Sequence, residues 1–182
     1  MIGYGVDINA NLSTYGTALH QAATSDYLNV VIFLLDKGTD VNAASGERGS
    51  ALQAAIVSGN VAIARFLIGQ STTNVNLDND LYGNALQQAV GMKDEDDHTF
   101  SLLQRGAIGD TKYGRFRTAL EAAMVLPKTH ILRQLMMCFP EKLNEGTNSS
   151  RILQQAILSD QLTALVFLLE NKAHVNVNDE FR

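Results

Sequence analysis

The fold is decided by the segment Gly16-Thr17-Ala18-Leu19-His20-Gln21-Ala22-Ala23, because similar segments return four times along the chain. The first return is Gly49-Ser50-Ala51-Leu52-Gln53-Ala54-Ala55-Ile56, which places Ala51 33 residues after Ala18. Three further copies follow at Ala85, Ala119 and Ile152, with offsets of 34, 34 and 33 residues. A period of this length is the sequence signature of a repeat protein, in which similar units stack in a row.

The second half of each unit repeats in the same register. Leu34-Leu35-Asp36-Lys37-Gly38-Thr39-Asp40-Val41-Asn42 corresponds to Leu168-Leu169-Glu170-Asn171-Lys172-Ala173-His174-Val175-Asn176. The segment Gly5-Val6-Asp7-Ile8-Asn9-Ala10 precedes its counterpart at Gly38 by 33 residues, so the chain opens in the middle of a unit. We therefore expect residues 1–182 to form a single domain, with a partial unit at 1–15 and full units at 16–48, 49–82, 83–116, 117–149 and 150–182.

These segments resemble the ankyrin repeat family, whose unit pairs a Thr-Pro-Leu-His-x-Ala-Ala first helix with a Leu-Leu-rich second helix and a Gly-Ala-Asp-Val-Asn loop. The resemblance covers nearly all of the chain and implies an all-α solenoid of about five helix-turn-helix units with a partial repeat at the N-terminus. The replacement of Pro by Ala and of His by Gln is similar to ankyrin arrays in large multidomain fungal proteins. It implies that the chain is a fragment of such a protein.

Residue types within the unit fit paired helices. Thr17, Ser50, Asn84 and Thr118 precede the first helices, where their side-chain oxygens can accept a hydrogen bond from a backbone N–H that has no other partner. Arg151 takes that place in the last unit, so we expect fraying at residues 149–151. Behind each cap, a Leu and an Ala three residues later share one helix face, and the Ala admits the neighbouring helix. These pairs begin at Leu19, Leu52, Leu86, Leu120 and Leu153.

The second helices are apolar around much of their circumference, as in Val30-Val31-Ile32-Phe33-Leu34-Leu35. Such helices are expected to be buried on more than one side, between the preceding and the following unit. The third unit departs from the pattern. Its helix-joining turn is replaced by Lys93-Asp94-Glu95-Asp96-Asp97-His98, and Leu102-Leu103 arrive one residue late, which predicts a short or shifted second helix.

Composition limits the classes of partner. The net charge of −5 offers no basic surface to a nucleic acid, and no apolar run approaches the roughly 20 residues that a membrane span requires. The single cysteine, Cys138, excludes an internal disulfide and favours an intracellular, cytoplasmic protein. Because Cys138 ends an apolar helix, we expect it to be a small buried hydrophobe.

Catalytic, cofactor and metal sites are not predicted, because the sequence lacks the phosphate-binding, nucleophile and metal-helix motifs. His20 matches the family's first-helix histidine, which orders the turn between repeats; as a general base it would need a partner that the motif does not supply. Asp94–Asp97 and His98 lack the central Gly and the spacing of a calcium loop, so a solvated acidic loop is favoured over a metal site. An enzyme or small-molecule binder that uses His20, Glu121 and Asp94 in a concave groove is the least favoured alternative.

A partner-binding surface is predicted at the turn tips, three residues before each repeated Ala or its Ile equivalent, where Tyr, Arg and Phe recur. These residue types dominate protein interfaces. The resemblance implies that the tips and the exposed end of the first helix face the partner, which is another protein. The predicted set is Tyr15, Thr24, Ser25, Glu47, Arg48, Val57, Ser58, Tyr82, Met92, Tyr113, Arg115, Phe116 and Leu126. A structural or sensor array of a larger receptor-like protein is the alternative, and self-association through uncapped ends is a further expectation.

Overall fold

The helices follow one another in pairs along the chain. The computed structural model describes residues 7–11, 15–44, 49–79, 81–92, 98–110, 118–125, 129–140, 153–154, 156–158, 160 and 162–170. The defined helices there are α1 (Ala18–Thr24), α2 (Leu28–Asp36), α3 (Ala51–Val57), α4 (Val61–Gly69), α5 (Ala85–Gly91), α6 (His98–Gln104), α7 (Ala119–Val125), α8 (Thr129–Cys138) and α9 (Leu162–Glu170). Residues 153–154 and 156–158 are helical as well. The described ranges contain no β-strand, only isolated bridges that join Asn79 to Gly83 and Asp110 to Thr118.

The helices form two layers. In one layer α1 packs against α3, α3 against α5 and α5 against α7, and in the other α2, α4, α6, α8 and α9 follow one another. Each first helix also packs against the second helix that comes directly after it in the chain. A row of helix pairs held by contacts between neighbours is a solenoid, so the predicted all-α repeat fold is confirmed.

The first helices begin at the predicted N-cap residues. The side-chain oxygens of Ser50, Asn84 and Thr118 accept hydrogen bonds from backbone N–H groups three residues later, at 3.3, 3.0 and 3.0 Å. Thr17 also occupies a cap position with extended backbone, and its hydroxyl lies 2.8 Å from Nδ1 of His20. The cap prediction for Arg151, with its expected fraying, lies outside the described residues. Capped starts fix where each first helix begins and therefore keep the units in register.

The core lies between the two layers and follows the predicted pairs of large and small residues. Leu19, Leu52, Leu86 and Leu120 are buried, and Leu153 is half-buried against the same core. The paired alanines, including Ala55 and Ala123 at 0 % exposure, are buried throughout. Small side chains at these positions let the first helices approach one another closely.

A ladder of side-chain amides ties the loops of consecutive units together. Oδ1 of Asn9 accepts from the backbone N–H of Asp40 at 3.0 Å, and Oδ1 of Asn42 accepts from that of Asn74 at 2.7 Å. Oδ1 of Asn76 continues the series by accepting from the backbone N–H of Ile108 at 2.9 Å. At these three junctions, the Asn that ends each loop segment therefore connects its unit to the next with the same hydrogen bond.

Burial of the second helices differs from the prediction at the first one. In α2 only Val31 and Leu34 are buried, while Val30, Ile32 and Phe33 are exposed. The expectation of burial on more than one side is therefore wrong for α2, since no second helix among the described residues packs in front of it. In the third unit, α6 has 7 described residues and begins directly after residues that lie outside the described ranges, so a short or shifted second helix there stays a prediction.

The prediction for Cys138 is wrong, because its side chain is exposed at the end of α8. The buried stripe of α8 runs through Leu132, Leu135 and Met136 to the half-buried Phe139, and Cys138 lies beside that stripe. Within the described ranges, every helix is too short or too polar to cross a bilayer.

Candidate functional site

Two of the predicted turn tips lie in the described part of the chain, and both present an aromatic ring to solvent. Tyr15 is 71 % exposed in front of α1, and Tyr82 is 47 % exposed in front of α5. Leu81 beside Tyr82 is exposed as well. Since α1, α3 and α5 pack side by side, these tips project from the same edge of the stack.

The second tip is a rigid turn built on Asn79. The backbones of Asn79 and Gly83 exchange two hydrogen bonds, at 3.0 and 2.8 Å. Oδ1 of Asn79 accepts from the backbone N–H groups of Leu81 and Tyr82, at 2.9 and 3.0 Å. These four bonds hold the turn in which Leu81 and Tyr82 are exposed.

The turns at Gly49 and Gly83 are anchored to the preceding unit through the third residues of α1 and α3. Nε2 of His20 lies 2.7 Å from the carbonyl oxygen of Gly49, and Nε2 of Gln53 donates to that of Gly83 at 2.8 Å. Gly49 has a φ of +77°, and a Cβ there would overlap the Gln53 side chain. The turn therefore requires glycine at this place.

The His20 ring is locked in one neutral tautomer. The backbone N–H of Thr17 points at Nδ1 at 3.3 Å, so Nδ1 must accept, and Nε2 must carry the hydrogen that reaches the Gly49 oxygen. Burial lowers the pKa of His20 below its usual 6.5, and the hydrogen bonds with the backbone of Gly49 and Ala43 oppose that change in part. The prediction that His20 orders the turn between units is confirmed.

The remaining described members of the predicted set lie at the far ends of the first helices. Ser25 is exposed, and Thr24, Val57, Ser58 and Met92 are half-buried, with Met92 also packed against the core. They belong to α1, α3 and α5 or follow them directly, so the packing of these helices brings them into one row. The predicted residues Glu47, Arg48, Tyr113, Arg115, Phe116 and Leu126 lie outside the described residues.

Sequence reasoning missed the exposed Leu81 at the turn tip and the exposed Ile108 in the loop after α6. The available signal for Leu81 was Asn79, because an Asn side chain accepts from the backbone N–H two residues later and so favours a turn. Ile108 is likewise held in place, since its carbonyl oxygen accepts from Nδ2 of Asn84 at 3.0 Å.

His20 and Glu121, the described residues of the catalytic alternative, do not line the cavity between α2 and α4. A cavity of about 400 Å³ lies between α2, α4 and the loops that follow them, and Ile32, Phe66 and Asn42 are among its lining residues. Neither His20 nor Glu121 lines it, and Asp94 lies outside the described residues. Among the described side chains, no group of His, Cys, Asp and Glu has an arrangement that could hold a metal ion.

Comparison with known families agrees with this architecture. Residues 19–68, which span α1 to α4, match the family model described as ankyrin repeats (many copies). Residues 19–68 carry ankyrin repeats. A search of curated proteins gave no significant match. Ankyrin repeats are generally protein–protein interaction modules and are typically not enzymes.

Proposed function

We propose that this ankyrin-repeat domain binds a partner protein through its turn tips and the face of its first helices. The proposal is supported above all by the Asn79 turn, which holds the exposed Leu81 and Tyr82 in a fixed orientation. Tyrosine is among the residue types enriched at the binding hot spots of protein interfaces. A rigid tip loses little conformational entropy on binding, and this increases affinity.

The chemistry of the described part of this surface points to an uncharged contact area on the partner. The tips contribute Tyr15, Leu81 and Tyr82, and the helix ends contribute small polar and apolar groups such as Ser25 and Val57. These side chains carry no charge near neutral pH, so contacts made by them depend weakly on salt. We infer that the partner presents apolar side chains flanked by hydrogen-bonding groups.

The proposal includes the organisation and location of the domain. We treat residues 1–182 as one domain, with repeat units divided at the positions predicted from the sequence. An intracellular, cytoplasmic location is supported by the presence of a single cysteine, which forms no internal disulfide. Microscopy of the tagged protein tests the location, and a secreted or luminal signal would contradict it.

Site-specific photocrosslinking tests the binding surface. A photoreactive phenylalanine replaces Tyr15 or Tyr82 in one pair of proteins, and Phe100, an exposed residue of α6 in the other helix layer, in a control. We expect both tip positions to crosslink the same protein from the native source and the Phe100 position not to do so. Equal crosslinking of that protein from Phe100, or different proteins from the two tips, contradicts the proposal.

A further inference from the structure

An arginine lies in the groove between the second and third units. Arg105 is the first residue after α6, and its Nη2 donates to the carbonyl oxygens of Gln70 and Thr73, at 2.9 and 3.3 Å. Both acceptors belong to the loop that follows α4. A planar guanidinium group carries several N–H donors, so it can bond backbone carbonyls near the end of a helix, where the helix dipole is negative. Arg105 thus ties the third unit to the second.

Gln70 occupies the same place in the second unit as Arg105 does in the third. Each is the first residue after its second helix. The backbone N–H of Arg105 donates to Leu102, and that of Gln70 donates to Leu67, in both cases three residues earlier. Leu67 and Leu102 are both 0 % exposed. Gln70 is therefore the residue of the second unit that is placed toward the first unit as Arg105 is placed toward the second.

The first unit offers the corresponding acceptors. Lys37 is the first residue after α2, as the nearer acceptor of the arginine is the first residue after α4. Thr39 corresponds to Thr73, because each is buried and lies two residues before a buried valine. The carbonyl oxygens of Lys37 and Thr39 are therefore the counterparts of the two oxygens that Arg105 bonds.

A cavity of about 400 Å³ lies at this place in the groove between the first and second units. It is lined by Gln70, the counterpart of the arginine, and by Thr39, the counterpart of an acceptor. The side chain of glutamine is shorter than that of arginine and carries no charge. The lining also includes Asp36 and Asp40, both exposed, and none of its described residues is basic. The first groove is therefore open and negatively charged where the second groove holds a guanidinium group.

The other lining residues match further properties of an arginine side chain. Phe66 provides an aromatic ring, on which a planar guanidinium group can stack. Ile32 and Leu35 provide apolar surface for the aliphatic stem of the side chain. Asp36 and Asp40 can pair with the positive charge through hydrogen bonds. Ligand pockets span about 300–1,000 Å³, so a cavity at the lower end of that range suits one long side chain.

We propose that this cavity binds an arginine side chain of another protein, in the way that the next groove binds Arg105. The guanidinium group donates to the carbonyl oxygens of Lys37 and Thr39 and pairs with Asp36 and Asp40. The site lies between the second helices and their loops, and it uses no residue of the turn tips. It is therefore independent of the proposed binding through the tips, and either one can fail without the other.

Titration with N-acetyl-arginine N-methylamide, followed by NMR, provides the first test. The expected result is binding in the millimolar range, with amide shift changes confined to residues 32–42 and 66–72. The citrulline analogue has the same shape without the charge and should bind at least about 5-fold more weakly. Free L-arginine, whose carboxylate is repelled by the two Asp side chains, should also bind more weakly. The proposal is overturned if no shifts change, if the citrulline analogue binds equally, or if free arginine binds more tightly.

Neutral variants of the two carboxylates locate the site. Asp36→Asn combined with Asp40→Asn should weaken binding of the arginine probe at least about 5-fold. Asp40→Asn keeps the side-chain oxygen that accepts from the backbone N–H of Asn42 at 2.9 Å, so the loop should be preserved. Asp26→Asn combined with Asp78→Asn removes two exposed charges outside the cavity lining and should bind the probe as the wild type does. Equal affinity of the two double variants contradicts the proposal.

Gln70→Arg tests the equivalence of the two grooves. The introduced guanidinium group should occupy the cavity as that of Arg105 occupies the next groove, and binding of the arginine probe should be lost. Gln104→Arg adds the same charge at the exposed end of α6 and should leave the affinity unchanged. Circular dichroism checks that both variants keep the wild-type helix content. Wild-type affinity in a folded Gln70→Arg variant, or an equal loss in Gln104→Arg, contradicts the proposed site.

Discussion

Nε2 of His20 and the carbonyl oxygen of Gly49 lie 2.7 Å apart although the residues are 29 positions apart in the chain. Gln53 makes the equivalent bond to Gly83 in the next unit, and its Oε1 accepts from the backbone N–H of Ser50 as Nδ1 of His20 accepts from that of Thr17. Histidine and glutamine thus have the same structural role, because each joins the start of its own helix to the turn of the next unit.

Substitutions of His20 test whether its two hydrogen bonds, rather than the imidazole ring itself, stabilise the fold. His20→Gln should unfold within about 1 kcal/mol of the wild type, because the amide can make both bonds, as Gln53 does. His20→Ala leaves the Thr17 N–H and the Gly49 oxygen without these partners and should cost about 1 to 3 kcal/mol. Urea denaturation followed by circular dichroism measures both, and equal losses in the two variants would contradict the assigned role.

The buried, neutral ring of His20 should also make the free energy of unfolding depend on pH. The pKa of His20 is lowered in the folded chain, so below about 6.5 the unfolded chain takes up a proton that the folded chain disfavours. The His20 contribution is therefore complete above that pH and is lost as the pH falls toward the folded-state pKa. Denaturation of wild type and His20→Gln at pH 7.5 and 5.5 isolates this effect, since all other groups are common to both proteins. Identical pH dependence would show that His20 titrates normally.

Close helix packing predicts that Ala55 tolerates no larger side chain. Ala55→Leu should destabilise the fold by about 1 to 3 kcal/mol, because Ala55 is fully buried between first helices. Ala62→Leu is the matched control, since Ala62 is exposed in α4 and both residues favour helix. Thermal or urea unfolding measures the stability of both variants. Equal stability would mean that the space between the first helices can hold a larger side chain than Ala55.

The amide ladder should make Asn42 a stabilising residue although it lies in a loop. Asn42 accepts from the Asn74 N–H and donates to the carbonyl oxygen of Thr72 at 2.8 Å, so Asn42→Ala should cost about 1 to 2 kcal/mol. Asn29→Ala, at an exposed position in α2, serves as control and should be neutral or slightly stabilising. Hydrogen exchange at the Asn74 amide adds a local measurement, and unchanged protection in Asn42→Ala would argue against the ladder.

The helical repeat could be predicted from the sequence because its signals are local and occur several times. Ser50 and Asn84 cap helices, and Leu52 with Ala55 forms a buried pair, since spacings of three and four residues determine a helix face. The role of His20 could be predicted because it matches the first-helix histidine of the ankyrin unit. The cap and core predictions need only the identity of neighbouring residues.

Features that depend on distant neighbours could not be predicted in this way. The apolar pattern of α2 is similar to that of α4, yet Phe33 is exposed and Phe66 is half-buried, since α4 packs against α2 whereas no second helix among the described residues packs in front of α2. Exposure of Cys138 depends on where the buried stripe of α8 ends. The fixed orientation of Leu81 depends on two hydrogen bonds that converge on one oxygen of Asn79.

The affinity of the crosslinked partner for tip variants tests the proposed binding surface most directly. Tyr15→Ala combined with Tyr82→Ala is compared with Phe100→Ala, which removes an exposed ring from α6 in the other helix layer. Isothermal titration calorimetry should show a loss of at least about 2 kcal/mol for the double variant and less than about 0.5 kcal/mol for Phe100→Ala. Wild-type affinity in a folded double variant, or an equal loss in Phe100→Ala, would contradict binding through the turn tips.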